Sequence, residues 1–199
     1  MRAGLTDPSL AESATPVGYG RVAITLHWLL AAMIVTSLGV GLSMVGLPFS
    51  PLRLKLFNWH KWLGVLFLSL SAVRLLWRLL HPPPPLPGSI EAAMPGWQLV
   101  VHRGLHRALY ALFFIVPLLG WAYSSALGFP IVWFGVLPLP DFVPVNKDFA
   151  ESVLKPLHKT GAFTLAAVAL VHAAAALKHH FIDHDGLLQR MWPSPRQNS

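Results

Sequence analysis

Four long apolar segments dominate this chain, and each is long enough to cross a lipid bilayer. A helix needs about 20 apolar residues to span a hydrocarbon core about 30 Å thick. The segments are residues 22–44, 62–80, 105–127 and 160–177. What remains of the 199 residues is too short for a second, soluble domain. We therefore predict an all-α fold, an integral membrane four-helix bundle.

The composition excludes several functional classes. The chain is 54% hydrophobic and only 12% charged, which is typical of a membrane protein with several spans. None of the eight acidic residues lies inside a predicted span, which argues against a proton-coupled pump or a cation transporter. The chain has no cysteine, so thiolate-bound iron–sulfur clusters, disulfides and covalently attached haem are excluded. Histidine and methionine remain as ligands for a transition metal.

The basic residues indicate the topology. The net charge of +7 comes from residues that flank the spans, so it favours membrane topology over nucleic-acid binding. Four spans place both termini on one side, and a bias of nine basic residues against six predicts that this side is cytoplasmic. The nine are Arg2, Arg21, Arg74, Arg78, Arg103, Arg107, Lys178, Arg190 and Arg196; the six are Arg53, Lys55, Lys61, Lys147, Lys155 and Lys159. We expect a polar tail over residues 1–18, one membrane domain over 19–193 and a short tail over 194–199.

Two histidines of the fourth segment share one helical face. His172 follows His158 by fourteen residues, which on an α-helix is about 40° short of four full turns and a rise of about 21 Å. Both imidazoles therefore project from the same side, one near each surface of the membrane. The positions between and beyond them on that face are Gly161, Leu165, Ala169 and Ala176. Most of these are small, so we expect a bulky flat group to lie against them.

Two further histidines match this pair in depth. His27 lies near the inner end of the first segment and His60 near the outer end of the second. Pairing by depth joins His27 to His172 and His60 to His158. Each pair could supply both axial imidazoles of one haem held in a helical bundle, so we predict two haems. Two unrelated histidines, or a zinc or copper path, stay open as alternatives, although such a path normally adds carboxylates, cysteines or a ladder of methionines.

Other polar residues cluster near the inner end. His106 and Tyr110 lie one turn apart in the third segment, and His179 ends the fourth. They could bind the carbonyls of a quinone. Alternatively, His106 and Tyr110 face lipid headgroups, and His179 belongs to a basic cap that the dipole at the helix C-terminus favours. Arg74 and Arg78 could bind haem propionates through their guanidinium groups, or reach to headgroups.

Six stretches of the chain resemble one known family. They are ITLHWLLA, WHKWLG, VRLLWRL, HRGLHRALYALFFIVPLLGW, LKPLHKTGA and LVHAAAALKHHF. Together they resemble the bacterial cytochrome b-561 family, which belongs to a larger group with the hydrogenase cytochrome b subunits, over about residues 19–193. The resemblance implies a bacterial inner-membrane protein with two non-covalent b haems that exchanges electrons with ubiquinone. It also implies that His27, His60, His158 and His172 are the axial ligands.

Family members of similar length look like superoxide oxidases, which oxidise superoxide outside and reduce ubiquinone. This resemblance implies an oxidoreductase. Lys61 and Lys159 each follow a predicted outer ligand, so we expect them to attract the superoxide anion; solvated loop lysines are the alternative. A second function also stays open, a haem-containing membrane anchor that relays electrons between a soluble dehydrogenase or hydrogenase and quinone.

Overall fold

The structure is a computed structural model that describes residues 18–86, 88–93 and 95–192. The helices are α1 (Arg21–Gly46), α2 (Pro51–Leu80), α3 (Gly88–Ala93), α4 (Gly96–Ala126), α5 (Lys147–Phe149) and α6 (Lys155–Lys178). A π-helical turn (Ala150–Leu154) joins α5 to α6, a second (His179–Asp183) continues α6, and a 3₁₀ turn (Leu188–Met191) follows. Two short strands, β1 (Val132–Trp133) and β2 (Leu137–Pro138), form an antiparallel hairpin between α4 and α5. Residues 1–17 of the predicted N-terminal tail and the whole C-terminal tail, with Arg2 and Arg196, lie outside the described residues.

Within the described ranges, four helices are long and apolar enough to cross a membrane, and the predicted all-α membrane fold is confirmed. They run over Arg21–Gly46, Pro51–Leu80, Gly96–Ala126 and Lys147–Asp183. The last three begin well before the predicted apolar segments, because a helix continues past the hydrocarbon layer. Three acidic residues, Asp148, Glu151 and Asp183, consequently belong to the ends of the fourth span and not to its connectors.

Local signals fix several of these helix ends. The Ser50 hydroxyl accepts a hydrogen bond from the Arg53 amide at 3.3 Å, and Pro51 occupies the first turn of α2. The Asn146 side chain likewise accepts from the Phe149 amide at 3.0 Å where the fourth span begins. Downstream of α2, prolines 82–85 prevent the helix from continuing.

The helices pack in the order α1, α2, α4, α6. Close approaches join α1 to α2, α2 to α4 and α4 to α6, whereas α6 approaches α1 at few points. A buried apolar layer fills the middle of the bundle; its members are Leu30, Met33, Phe67, Leu109, Phe113, Val116 and Leu165. The outside is also apolar, as Val35 at 72% and Leu170 at 71% exposure illustrate. Apolar side chains on both faces of these helices are the pattern of a bundle that lies in lipid.

The small-residue face of α6 differs in part from the expectation. A Cβ at Gly161 would lie 3.3 Å from Cγ2 of Val116, so α4 covers this position. Leu165 is likewise buried in the central layer. Gly161 and Leu165 are therefore covered by α4 and the central layer.

We call the end of the bundle with Arg21, Leu80, Gly96 and Lys178 the inner end, and the opposite end the outer end. At the outer end, Nε1 of Trp62 donates to the Val132 carbonyl at 2.7 Å and ties the hairpin to α2. At the inner end, Nε1 of Trp28 donates to the Met191 carbonyl at 2.8 Å. Tryptophans thus tie the hairpin to α2 at the outer end and the Leu188–Met191 turn to α1 at the inner end.

Candidate functional site

The structure brings the four singled-out histidines together as two pairs. The ring centroids of His27 and His172, the inner pair, are 6.1 Å apart. Those of His60 and His158, the outer pair, are 6.0 Å apart. In each pair one imidazole comes from α1 or α2 and the other comes from α6. The pairs lie on either side of the buried apolar layer.

The ring spacing fits two imidazoles that share one metal ion. A metal–imidazole bond is about 2 Å long and the ring centre lies about 1 Å behind the nitrogen, so two opposed imidazoles on one ion have centroids about 6 Å apart. Packed aromatic rings also lie about 4.5–7 Å apart, so the spacing is compatible with a shared metal, and what singles out these rings is that two histidine pairs repeat it at two depths. Neutral imidazole is also the donor that binds haem iron in a membrane at least cost.

A fourteen-residue spacing recurs on all four long helices. It separates His27 from Gly41 on α1, His60 from Arg74 on α2, His106 from Gly120 on α4, and His158 from His172 on α6. Each of the two depths therefore receives one position from each helix. The outer level consists of the outer pair and two glycines, whereas the inner level consists of the inner pair, an arginine and a third histidine.

At the outer level the glycines make room for the imidazoles. A Cβ at Gly120 would lie 2.8 Å from Cε1 of His158, and a Cβ at Gly41 would lie 3.2 Å from Cε1 of His60. Each ring is packed against the backbone of the neighbouring helix; a side chain at Gly120 would require the ring to shift, and one at Gly41 would require a shift of a few tenths of an ångström. Sequence reasoning missed both glycines. The fourteen-residue spacing from His27 and His106 was the signal that could have found them.

Each imidazole of the outer pair is oriented by a backbone carbonyl. Nδ1 of His60 donates to the Ser37 carbonyl at 3.1 Å, and Nδ1 of His158 donates to the Val116 carbonyl at 3.0 Å. A proton on Nδ1 leaves the Nε2 lone pair of each ring available to a metal. Such hydrogen bonds orient metal-binding histidines and make their rings better electron donors.

The inner pair has different neighbours. Nη2 of Arg74 donates to Nδ1 of His27 at 3.3 Å, and Nη1 of Arg74 donates to the Ala23 carbonyl at 2.9 Å. The His106 ring lies 5.0 Å from the His172 ring. Among the described residues no group accepts a hydrogen bond from His172. Nδ1 of His27 thus contacts the Arg74 guanidinium, whereas Nδ1 of His60 at the outer level contacts the Ser37 carbonyl.

A cavity of about 510 Å³ opens beside the outer pair. His60, His158, Lys61 and Arg53 line it together with many apolar side chains, and its volume is within the range of small-molecule and cofactor sites, about 300–1,000 Å³. Trp121 also lines it, and the buried Nε1 of this residue has no hydrogen-bond partner within the described ranges. An apolar cleft with an unsatisfied donor and two opposed imidazoles fits a large, mostly apolar group with polar substituents.

The two lysines singled out for anion attraction lie apart. Nζ of Lys61 donates to the carbonyls of Phe129 and Pro130 at 3.5 and 3.3 Å, at the wall of the cavity. Lys159 is exposed on a separate shallow surface with Phe163 and Thr164. Only Lys61 is therefore next to the outer pair.

Of the residues singled out for quinone binding, His106 and Tyr110 lie one turn apart on α4, and each contacts a different neighbour. His106 lies against His172, and the Arg78 guanidinium lies 5.4 Å from the centroid of the Tyr110 ring. His179 is engaged elsewhere, because its Nδ1 donates to a carboxylate oxygen of Asp185 at 2.6 Å. Among the described residues, no hydrogen bond or ring contact joins His179 to the other two.

Comparison with known proteins identifies the family. The model of the prokaryotic cytochrome b561 family matches residues 18–194, nearly the whole chain. The chain belongs to the prokaryotic cytochrome b561 family. The family prediction made from the sequence is confirmed, and the chain is a membrane haem b electron-transfer protein of the cytochrome b561 type.

The alignments with individual relatives cover nearly the full length of both proteins. Cytochrome b561 homolog 2 of Escherichia coli (strain K12) is 35% identical over 181 residues, which cover 89% of this chain and 92% of the relative. The probable superoxide oxidase CybB of Yersinia pestis is 30% identical over 183 residues, 89% of this chain and 97% of the relative. Cytochrome b561 homolog 1 of Escherichia coli (strain K12) is 31% identical over 188 residues, 88% and 97% of the two chains. Membership of the cytochrome b561 family implies haem b cofactors, and the imidazoles of the two histidine pairs are donors that would fit haem iron.

Proposed function

We propose that this protein holds two b haems, one between the imidazoles of each histidine pair, and that it oxidises superoxide at the outer end and reduces ubiquinone at the inner end. The observation that carries the proposal is the pair of ring spacings, 6.1 and 6.0 Å, at two depths of one bundle. Residues 19–193 form the functional membrane domain. The bundle lies in the bacterial inner membrane with its inner end in the cytoplasm.

The balanced reaction requires two electrons for each quinone. Two superoxide anions each lose one electron and leave as dioxygen, and ubiquinone takes up two electrons and two protons to become ubiquinol. When bound, each haem would carry one electron at a time. With a haem bound, the two imidazoles of each pair would hold its iron, and both substrates would then exchange electrons without binding the metal. The relative from Yersinia pestis is a probable superoxide oxidase, which is why we propose superoxide as the substrate. We expect it to react at the edge of the outer site, without binding the iron.

Lys61 is the residue that we propose attracts superoxide. Its ammonium lies at the wall of the outer cavity and has no carboxylate within ion-pair distance among the described residues. A cation in a low-dielectric cleft raises the local concentration of a small anion, and a whole charged cleft raises association rates by about 10–1,000-fold. Lys159 carries the same charge outside the cavity, which makes it a matched control.

At the inner end, His106 and Tyr110 are proposed to bind the quinone headgroup, with His179 as a more distant member of the group. Arg78 is exposed near Tyr110, so we propose that it binds a haem propionate. Arg74 is directed at His27 and Ala23 instead, and its guanidinium is a less available propionate partner.

Haem content tests the two sites. We expect purified His27→Ala and His60→Ala proteins each to lose one of two haems, with different changes in the low-temperature absorption spectrum. His180→Ala, a histidine outside both pairs, is the control and should keep two. If either paired variant retains both haems, the assignment of that pair is wrong.

Substrate assays test the reaction. Purified protein alone should be reduced by enzymatically generated superoxide and re-oxidised by a soluble ubiquinone analogue. Lys61→Gln should slow reduction by superoxide roughly two- to tenfold and flatten its dependence on ionic strength, whereas Lys159→Gln should do neither. No reduction by superoxide, together with a stoichiometric soluble dehydrogenase bound to the protein, would replace this function with that of an electron-relaying anchor.

A further inference from the structure

We propose that Arg53 binds a carboxylate of the cofactor held between the imidazoles of the outer pair, and that it thereby fixes the direction in which this cofactor lies in the outer cavity. The inference rests on the proposed function, because it requires a haem at the outer pair. Haem b carries two propionate carboxylates on one edge of a mostly apolar ring, so a cavity that holds it needs a cationic end and an apolar end.

The charge of the outer cavity favours an anionic ligand group. Arg53 and Lys61 line the cavity, and among its described lining residues there is no aspartate or glutamate. Most of the other lining side chains are apolar, so the two positive charges are weakly screened. Carboxylates on a large apolar body are the chemistry that complements such a wall.

The hydrogen bonds of the cavity wall point to Arg53 as the group that receives the carboxylate. Nζ of Lys61 donates to the Pro130 carbonyl at 3.3 Å, and the Tyr123 hydroxyl donates to a carboxylate oxygen outside the cavity at 2.9 Å. By contrast, the Arg53 guanidinium and the buried Nε1 of Trp121 have no hydrogen-bond acceptor within the described ranges. Donors without acceptors on the wall call for a ligand that brings oxygen acceptors with it.

Arg53 lies on the same face of α2 as His60. The seven residues between them turn an α-helix to within about 20° of two full turns and place Arg53 about 10.5 Å nearer the outer end. Its guanidinium is half-buried, with Cζ 5.6 Å from the centroid of the Phe57 ring, and this contact limits its freedom. Inward of His60, the α2 residues that line the cavity beyond Lys61 are Gly64, Val65 and Leu68. The cavity therefore has its cations towards the outer end and an apolar inner end, which directs the carboxylates outward.

The two cations of the cavity suit different anions. The planar guanidinium of Arg53 can donate two parallel hydrogen bonds to both oxygens of one carboxylate. Lys61 is a point charge that two backbone carbonyls hold at the wall, and it matches a small mobile anion better. Arg53 is therefore the residue that holds the cofactor, and Lys61 stays available for superoxide.

The rate of haem loss tests this inference. Purified, haem-loaded protein in detergent is mixed with an excess of a haem-scavenging apoprotein, and the loss is followed by absorbance; the phase that is missing in His60→Ala belongs to the outer haem. We expect Arg53→Gln to speed loss of the outer haem roughly tenfold and to leave the inner haem unchanged, because a hydrogen bond between charged groups is removed. Arg53→Lys keeps the charge without the fork and should give an intermediate rate.

Lys55→Gln is the matched control, because it removes a cation two residues away on the same helix, at an exposed position outside the cavity lining. It should lose both haems at the rates of the unmodified protein. Equal loss of the outer haem from Arg53→Gln and from the unmodified protein would show that Arg53 reaches to lipid headgroups instead, and would overturn the inference while two haems remain bound.

A cofactor without free carboxylates separates binding from a structural role of Arg53. The unmodified protein loaded with haem dimethyl ester should lose it from the outer site roughly tenfold faster than haem, and Arg53→Gln should add no further effect. An effect of Arg53→Gln that is as large with the ester as with haem would contradict carboxylate binding. Should Arg53→Gln fail to fold, Arg53→Lys allows the same comparison. No haem at the outer pair of the unmodified protein would reject the proposed site itself, and this inference with it.

Discussion

Replacing Gly120 by alanine tests whether the outer imidazole depends on a bare backbone. The added Cβ would lie 2.8 Å from Cε1 and 3.1 Å from Nδ1 of His158. Carbon atoms pack comfortably at about 3.5–4.0 Å, so the ring and the helix must separate by roughly 0.7–1.2 Å. The hydrogen bond from Nδ1 to the Val116 carbonyl, now 3.0 Å, would then exceed hydrogen-bonding distance.

The free-energy cost follows from these displacements. Overpacking of this kind costs about 1–3 kcal/mol, and the lost hydrogen bond costs about 0.5–1.5 kcal/mol. Alanine recovers about 0.8–1 kcal/mol through its higher helix propensity. We expect a net loss of about 0.5–3.7 kcal/mol in the free energy of unfolding. The loss of haem should be more complete, because metal–ligand distances tolerate only about 0.2 Å.

Haem content per protein and thermal unfolding measure the effect. Gly120→Ala should lose the outer haem, and Gly41→Ala should do so only partly, because its Cβ would lie 3.2 Å from the ring of His60. Gly39→Ala is the control on the same helix, since a Cβ there meets nothing within 4 Å. It should keep both haems and unfold no earlier. Two haems and an unchanged unfolding temperature in Gly120→Ala would refute the reasoning.

The two segments that tryptophans bind, the hairpin and the Leu188–Met191 turn, give two further predictions. Trp62→Phe removes the hydrogen bond to the Val132 carbonyl, which costs about 0.5–1.5 kcal/mol and should speed amide hydrogen exchange in the hairpin; equal exchange in both proteins would contradict this. Trp28→Phe removes the bond to the Met191 carbonyl and should loosen Leu188–Met191 without loss of haem. Limited proteolysis at the C-terminal end would measure it, and an unchanged cleavage rate would count against that contact.

The sequence was sufficient to predict the four spans because the length of an apolar segment reflects bilayer thickness directly. The pairing of the histidines by depth was equally accessible, since rise per residue and span order are enough to estimate depth. The start of α2 at Pro51 was missed because the helix extends beyond the apolar segment through residues such as Arg53 and Lys55.

The neighbours of the histidines were harder to predict. Which helices lie side by side decides that Gly120 faces His158 and that Arg74 faces His27, and a single sequence does not state that order. The separation of Lys61 from Lys159 has a similar origin. Both residues follow a paired histidine, yet the segment after α4 lies beside Lys61, whose ammonium donates to the Phe129 and Pro130 carbonyls, whereas Lys159 lies on an exposed surface of α6.

The shared fourteen-residue register constrains which changes of length this chain can accept. One residue inserted between His60 and Arg74 would turn one level of α2 by about 100° relative to the other and move it by about 1.5 Å along the axis. The same holds between the paired positions of each of the other three long helices. We therefore expect insertions and deletions in this chain to be tolerated in the connectors and not between the paired positions of a span.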